Sequence, residues 1–405
     1  MAQSKLSLAG GFHYNQDIYF VQAQAAQVAR VSKASVPKAA IPKTGHFLSL
    51  SLSPPFPPLQ QPDPYLWSAM IRLGEIDFIN ALPFKLSQEE AEFAEAQVVR
   101  ASPKQLNQWL CEGRLDVSAI SSACYLAHRH ELTLIDGLSI SAQRPVKSVL
   151  LFLPTDRQAI TTPTTKHPAT LFIPDTSETS VLLARYILEQ PEHQWPIPYQ
   201  LQVYQRGLAR MTLTQATETG AAVLAIGDEA LMLDGWQHPG YKVIDLAQAW
   251  HETKASPFVF GVWAVRNDWL AQDPKGNRAR LNRLCGLLRH KKYHFQSDKV
   301  YQQALVDSLL TRYQTDGSPD TEQQQQQQQQ ARLHHYLTHA LTYNLDLPHR
   351  MGLDEFDQTI TCLNKHVTTV SDSTGTEAVM PPAGQSPTNH INQKKAQEEA
   401  YAPLA

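Results

Sequence analysis

Four polar stretches stand where apolar runs begin or end. Asn80 closes "IRLGEIDFIN", Ser121 and Ser122 close "LDVSAISS", and Ser148 opens "SVLLFLP" behind Pro145 and Lys147. The fourth, "PDTSETS", runs from Pro174 to Ser180 between an apolar run and an amphipathic one. Asp175, Thr176, Ser177 and Thr179 therefore stand where a helix starts, beside backbone N–H groups that have no intrahelical acceptor. Those donors and the positive end of the helix dipole favour a carboxylate or phosphate. The chemistry is that of holding and orienting a small anion.

Each feature also has a plainer reading. An asparagine before a turn caps backbone, and serine or threonine at a helix start is an N-cap. Ser121 and Ser122 suit the helix after them, Ser148 a bond to a neighbouring strand, Asp116 a turn, and Asp228 a helix start. What favours a ligand is that these groups share one kind of place, the ends of strands in both halves of the chain.

The elements that position them alternate. Strands are expected at "IRLGEID", "AQVVRAS", "LDVSAISS", "PVKSVLLFLP", "ATLFIP", "LQVYQ", "AAVLAIGDEAL" and "SPFVFGVWAVR". Between them, "SPKQLNQWLCEGR" predicts a helix with Ser102 as N-cap, Pro103 at N1 and a buried stripe of Leu106, Trp109 and Leu110. Helices are also expected at "ACYLAHRH", at "SETSVLLARYILEQ", and over 277–293, 297–315 and 331–343. This alternation predicts an α/β protein with mainly parallel sheets.

The apolar strand at 148–153 leaves the first sheet and the strand at 257–265 returns to it. Two lobes follow: residues 70–153 with 256–363, and residues 154–255, with a cleft at the strand ends. Residues 1–69, rich in proline and small polar residues, read as a disordered leader. Met70, directly before the first strand, is an alternative translation start to Met1. The eight glutamines 323–330 read as an insertion in a surface connection, and 364–405 as a disordered tail.

The 405 residues carry 35 Lys and Arg against 38 Asp and Glu, a net charge of -3 without the basic bias of a nucleic-acid binder. The four cysteines are widely spaced and form no metal-ligand pattern, which suits free thiols in the cytoplasm. No apolar run reaches the ~20 residues of a membrane span. Dinucleotide, P-loop, nucleophile-elbow and zinc-protease motifs are absent. The "HRH" and "RHKKYH" stretches read as solvated helix faces, so no metal is expected.

Together, "RLGEIDFINALPF", the run from Ser102 to Phe152, "IPDTSETSVLLARYIL", "AIGDEAL" and "SPFVFGVWAVR" are similar in order and kind to chorismate dehydratase, a family of the futalosine route to menaquinone. The resemblance covers about residues 71–345 and is most specific between Ser102 and Phe152. It implies a two-lobed, type II periplasmic-binding-protein-like fold. It also implies a cofactor-free lyase that dehydrates chorismate to 3-[(1-carboxyvinyl)oxy]benzoate, the first step of that route.

In that family's terms Asn80 orients or polarises the departing C4 hydroxyl, and Ser148 binds a carboxylate or helps proton transfer. Ser121, Ser122, Ser177, Thr179 and Ser180 anchor carboxylates. One substrate carboxylate is left as the base. The sequence "AQRPVK" departs from the shorter glycine-containing turn usual there and puts Lys147 beside Ser148. Three other readings stand beside this one. One is a cytoplasmic solute-binding protein that holds a small carboxylate without catalysis. Another is the sister enzyme that releases dihydroxynaphthoate, whose Cys-Pro-Asn-Asp opening is missing here. The last is a scaffold working through its ends.

Overall fold

The computed structural model describes residues 70–155, 169–192, 199–235, 238–310 and 319–374. The leader 1–69, most of the polar connector at 155–167 and the tail beyond Thr374 lie outside the described residues.

Strands Ile71–Ile76 (β1), Ala96–Ala101 (β2), Val117–Ser121 (β3), Leu132–Ala142 (β4) and Phe258–Arg266 (β10) form the first sheet, in the order β2-β1-β3-β10-β4. Val149–Pro154 (β5), Ala169–Pro174 (β6), Tyr199–Tyr204 (β7), Ala222–Ile226 (β8) and Tyr241–Asp245 (β9) form the second, in the order β7-β6-β8-β5-β9. The architecture is thus α/β with two lobes. β5, counted above with the first lobe, pairs entirely within the second sheet.

The sheets are mixed, which corrects the expectation of mainly parallel pairing. β1 runs parallel to β2 and β3, and β6 to β7 and β8. β10 is antiparallel to β3 and β4, and β5 to β8 and β9. The reason is the route of the chain. β5 and β10 each enter a sheet from the opposite lobe, at the end where the neighbouring parallel strands finish, so they run the other way.

Local signals account for two of the helix starts in the first lobe. Ser102 caps Pro103–Cys111 by accepting the Gln105 N–H, and Leu106 and Leu110 are fully buried. Ser87 and Glu90 make a reciprocal capping box on Gln88–Phe93. The run "AAVLAIGDEAL" is strand only to Ile226 and turns into helix at Gly227.

The C-terminal region departs further from expectation. The glutamine run lies inside helix Pro319–His335 instead of a connection, as glutamine's helix propensity allows. A π-turn at Tyr336–Ala340 follows in place of the expected helix to 343. Helix Leu347–Thr374 continues past residue 364, where the tail was expected to begin. A Cβ on Gly352 would stand 2.1 Å from the Pro257 carbonyl oxygen, so glycine is what lets this helix lie against the second crossing. Among the described residues no helix is long and apolar enough to cross a membrane.

The two crossings between sheets carry backbone strain. Lys147 (φ 64°) and Ala255 (φ 56°) occupy the left-handed region, at about 1–2 kcal/mol each. The Asp245 carboxylate holds Lys147 there by accepting its N–H at 2.6 Å. Asp116 is structural: buried, it joins β3 to β1 by accepting the Arg72 backbone N–H at 2.9 Å and Nε–H at 3.0 Å.

Candidate active site

Between the two sheets lies a cleft with about 580 Å³ of empty space, part of it open to solvent. Its walls are largely apolar, with Ile76, Phe78 and Ile120 from the first lobe, Ile226 from the second and Leu341 from the C-terminal segment. The polar groups in it are Asn80, Ser121, Ser148, Ser177, Glu178, Thr179 and Ser180. Among the described residues lining it there is no lysine or arginine. Such a chamber suits an apolar ring with anionic substituents held by neutral donors.

Six of the seven residues singled out from sequence therefore line one cavity. Ser122 does not, since its hydroxyl donates to the Val259 carbonyl at 2.6 Å and ties helix Ser122–Ala127 to β10. Lys147 is not among the lining residues either. Its ammonium stands 3.9 Å from Asp234.

The hydrogen bonds show what each hydroxyl has left to offer. Ser121 Oγ accepts from Asn107 Nδ2 at 2.8 Å and from the Cys124 N–H at 3.2 Å. With its acceptor capacity used, the proton it can still direct is its own. Ser148 Oγ accepts the Tyr336 hydroxyl at 2.8 Å. Burial pushes the Tyr336 phenol well above its ordinary range, so it stays protonated and stays a donor. Ser148 in turn is left to donate. Ser177 Oγ accepts the Ser180 N–H at 3.3 Å at the start of helix Thr179–Leu188. Thr179 Oγ1 accepts the Ala123 N–H at 2.9 Å and so spans the two lobes.

Asn80 stands apart. Its Oδ1 is buried without a hydrogen-bond partner among the described residues, an arrangement that costs about 1–3 kcal/mol. The 3-10 turn Ile79–Phe84 that carries it is held from the second lobe, where Asp228 accepts the Ile79 N–H at 2.9 Å. Arg206 completes this join. It donates to the Asp77 carbonyl at 2.9 Å and lies 4.6 Å over the Phe78 ring.

Burial raises the Asp228 carboxyl above its ordinary 3.8, although the Ile79 N–H and Arg206 act against it. The folded state therefore keeps this proton to a higher pH than the unfolded chain. The stability it contributes is complete below 3.8 and is lost as pH rises through the raised value. Asp228→Asn keeps an acceptor for Ile79 and does not titrate. The melting temperature of wild type minus that of Asp228→Asn should fall as pH rises from 3.8 toward neutrality. A difference that stays flat in thermal melts across that range contradicts this.

Sequence reasoning missed three groups. Glu178 sits inside the quoted "PDTSETS", between Ser177 and Thr179, which are named there while it is not. Asn107, buried on helix Pro103–Cys111, holds Ser121 with both ends of its amide. Tyr336 meets Ser148 across 188 positions of chain, a contact with no local signal.

Comparison with known proteins adds to this geometry. The chorismate dehydratase of Thermus thermophilus is 28% identical to this chain over 190 residues, an aligned stretch that spans 42% of this chain and 62% of that relative. The periplasmic aliphatic sulphonate binding protein SsuA from Escherichia coli is 12% identical, with a TM-score of 0.45 over 73% of this chain and 92% of that one. A Candida albicans protein described as having the generic periplasmic binding protein fold is 10% identical, with a TM-score of 0.42 over 72% and 90%. The model of a family described as menaquinone biosynthesis matches residues 71–361, from the first strand of the first sheet into the last helix, and the chain belongs to that family.

Proposed function

We propose that this protein dehydrates chorismate to 3-[(1-carboxyvinyl)oxy]benzoate. The observation that carries the reading is the buried, unpartnered Asn80 Oδ1 in an apolar cavity rimmed by hydroxyl donors, in a chain of a menaquinone-biosynthesis family. Chorismate has an apolar ring face, two carboxylates and a C4 hydroxyl. Loss of the C3 hydrogen and the C4 hydroxyl as water makes the ring aromatic. Aromatisation drives the reaction, so the protein has to orient the substrate and stabilise developing charge.

In this reading Asn80 Oδ1 accepts from the C4 hydroxyl and fixes its direction. Ser148, backed by Tyr336, donates to a substrate carboxylate. Ser121 donates from the first lobe, while Ser177, Thr179, Ser180 and the helix N-terminus serve the other carboxylate from the second. Ser122 contributes by fixing the helix behind Ser121. The lobes divide before β5, into residues 70–148 with 256–363 and residues 149–255, and the site of action is the cytoplasm.

The test is to incubate the full chain with chorismate and follow the enolpyruvyl benzoate by chromatography. Wild type should form it, and Asn80→Ala should lose about 10²-fold in kcat/KM, the scale of a lost substrate-orienting contact. No product, beside tight binding of some other small carboxylate, would overturn the reading in favour of a binding protein.

A further inference from the structure

We infer that Cys111 and Cys124 are a site of reversible oxidation, closed by a peroxide into a disulfide directly behind the cleft. Their sulfurs stand 3.8 Å apart, a thiol–thiol hydrogen bond between two helices. Cys111 is the last residue of helix Pro103–Cys111 and is exposed, whereas Cys124, in the first turn of helix Ser122–Ala127, is buried. One thiol is thus open to a small oxidant, and the other stands against it from inside. A disulfide needs the sulfurs at about 2 Å. Cys111 has room to close that gap, because helix ends fray.

The two thiols divide the chemistry between them. The contact with Cys111, and then burial, hold the Cys124 thiol protonated, so Cys124 is the donor. Receiving that S–H holds the Cys111 thiol below its ordinary 9.0, against the effect of burial and with help from His128. An accessible sulfur with thiolate character beside a second cysteine is the arrangement that peroxides oxidise selectively. Cys285 is the contrast, buried and with its thiol pushed up to about 11 by that burial.

The steps balance with hydrogen peroxide as the oxidant. The Cys111 thiolate attacks one peroxide oxygen and the O–O bond breaks. Sulfur is oxidised to a sulfenic acid, and the other oxygen leaves as hydroxide and takes up a proton as water. The Cys124 sulfur then attacks the Cys111 sulfur and gives up its proton. The S–O bond breaks, and the hydroxyl leaves with that proton as a second water. The dithiol has lost two electrons and the peroxide has gained them. In a reducing compartment such a bond is transient and reports on the oxidant.

The same two helices shape the cleft. Asn107 and Cys111, four residues apart, share one helix face and meet Ser121 and Cys124 respectively. The Cys124 N–H donates to Ser121 Oγ at 3.2 Å, and the neighbouring Ala123 N–H donates to Thr179 Oγ1 of the second lobe at 2.9 Å. Drawing Cys124 toward Cys111 pulls on the turn that aims Ser121 into the cleft, so the oxidised protein holds its substrate more weakly. This consequence rests on the chorismate reading above, and the disulfide itself does not.

The test treats the full chain with hydrogen peroxide, alkylates it and maps the peptides by mass spectrometry. Wild type should lose two thiols and ~2 Da, with the Cys111 and Cys124 peptides joined and both thiols restored by dithiothreitol. Cys124→Ser should stop at a sulfenic acid on Cys111, which dimedone captures, and Cys111→Ser should leave Cys124 unmodified. Oxidation that joins no peptides, or that falls first on Cys285 or Cys362, overturns the site. In the oxidised enzyme KM for chorismate should rise about 3–10-fold and recover with dithiothreitol, the scale of one weakened hydrogen bond. Cys111→Ser, with ordinary rates before treatment, should not respond. An oxidised enzyme with unchanged KM overturns the link to Ser121. A wild type that forms no product from chorismate overturns the dehydration reading, while the peptide map still decides the disulfide.

Discussion

Ser148→Ala is expected to lower kcat for chorismate about 10²–10³-fold, the loss usual when one donor to developing charge is removed. The expectation rests on the direction of one hydrogen bond. Tyr336 is fully buried and donates to Ser148 Oγ, so the serine proton is aimed away from the tyrosine and toward the cavity it lines. Tyr336→Phe keeps the ring and removes only that backing. It should cost about 1 kcal/mol in the transition state, or some 5–10-fold in kcat. The two effects share one path, so the double variant should be little slower than Ser148→Ala alone. Steady-state rates for the four proteins close the cycle. Losses that simply multiply would show that Tyr336 acts on something other than Ser148, and a Ser148→Ala enzyme within about 3-fold of wild type would remove the serine from the chemistry.

Much of this site is legible in the sequence because it uses strand ends and helix starts, which apolar periodicity locates. Asn80, Ser121, Ser148, Ser177, Thr179 and Ser180 all fall at such places, and all line the cavity. Ser122 shows the limit of that logic. One position along, a hydroxyl meets a carbonyl of β10 instead of the cleft, and periodicity alone does not separate the two. β4 escaped notice for a related reason. "LTLIDGLSISA" holds Gly137 at φ 79° and two buried serines, Ser139 and Ser141, whose hydroxyls bond each other at 3.0 Å and the backbone of residues 342 and 344. A strand whose inward face is satisfied by distant carbonyls reads locally as a polar loop. The mixed pairing was hidden too, because alternation of strands and helices does not say from which lobe a strand enters its sheet. Glu178 was visible as a residue but not as a contact between the lobes, since its partner Asn107 lies 71 positions away.

The second large effect concerns the joint that sets the lobes against each other. Trp250, fully buried, lies in the middle of helix Leu246–Lys254, which leads into the second crossing, and its ring meets Phe258 of the first sheet at 5.2 Å, Phe356 of the last helix at 6.0 Å and Tyr186 of the second lobe at 5.7 Å. Its Nε1–H donates to Ser256 Oγ at 3.1 Å, and that hydroxyl donates to Glu355 at 2.7 Å, so the strained turn at Ala255 is clamped on both sides. Trp250→Ala removes the ring from three packed layers and should cost about 3–5 kcal/mol. In a chain of this size that lowers the melting temperature by roughly 4–8 °C. Trp250→Phe keeps most of the packing and loses the Nε1 bond, for about 1 kcal/mol. The contrast separates packing from hydrogen bonding, and two melting curves that fall equally would assign the joint to the hydrogen bond instead. Cleft geometry depends on the same joint: Asn80 and Ser121 belong to the first lobe, Ser177 and Glu178 to the second. At a temperature where Trp250→Ala is still folded, its KM for chorismate should therefore rise more than its kcat falls.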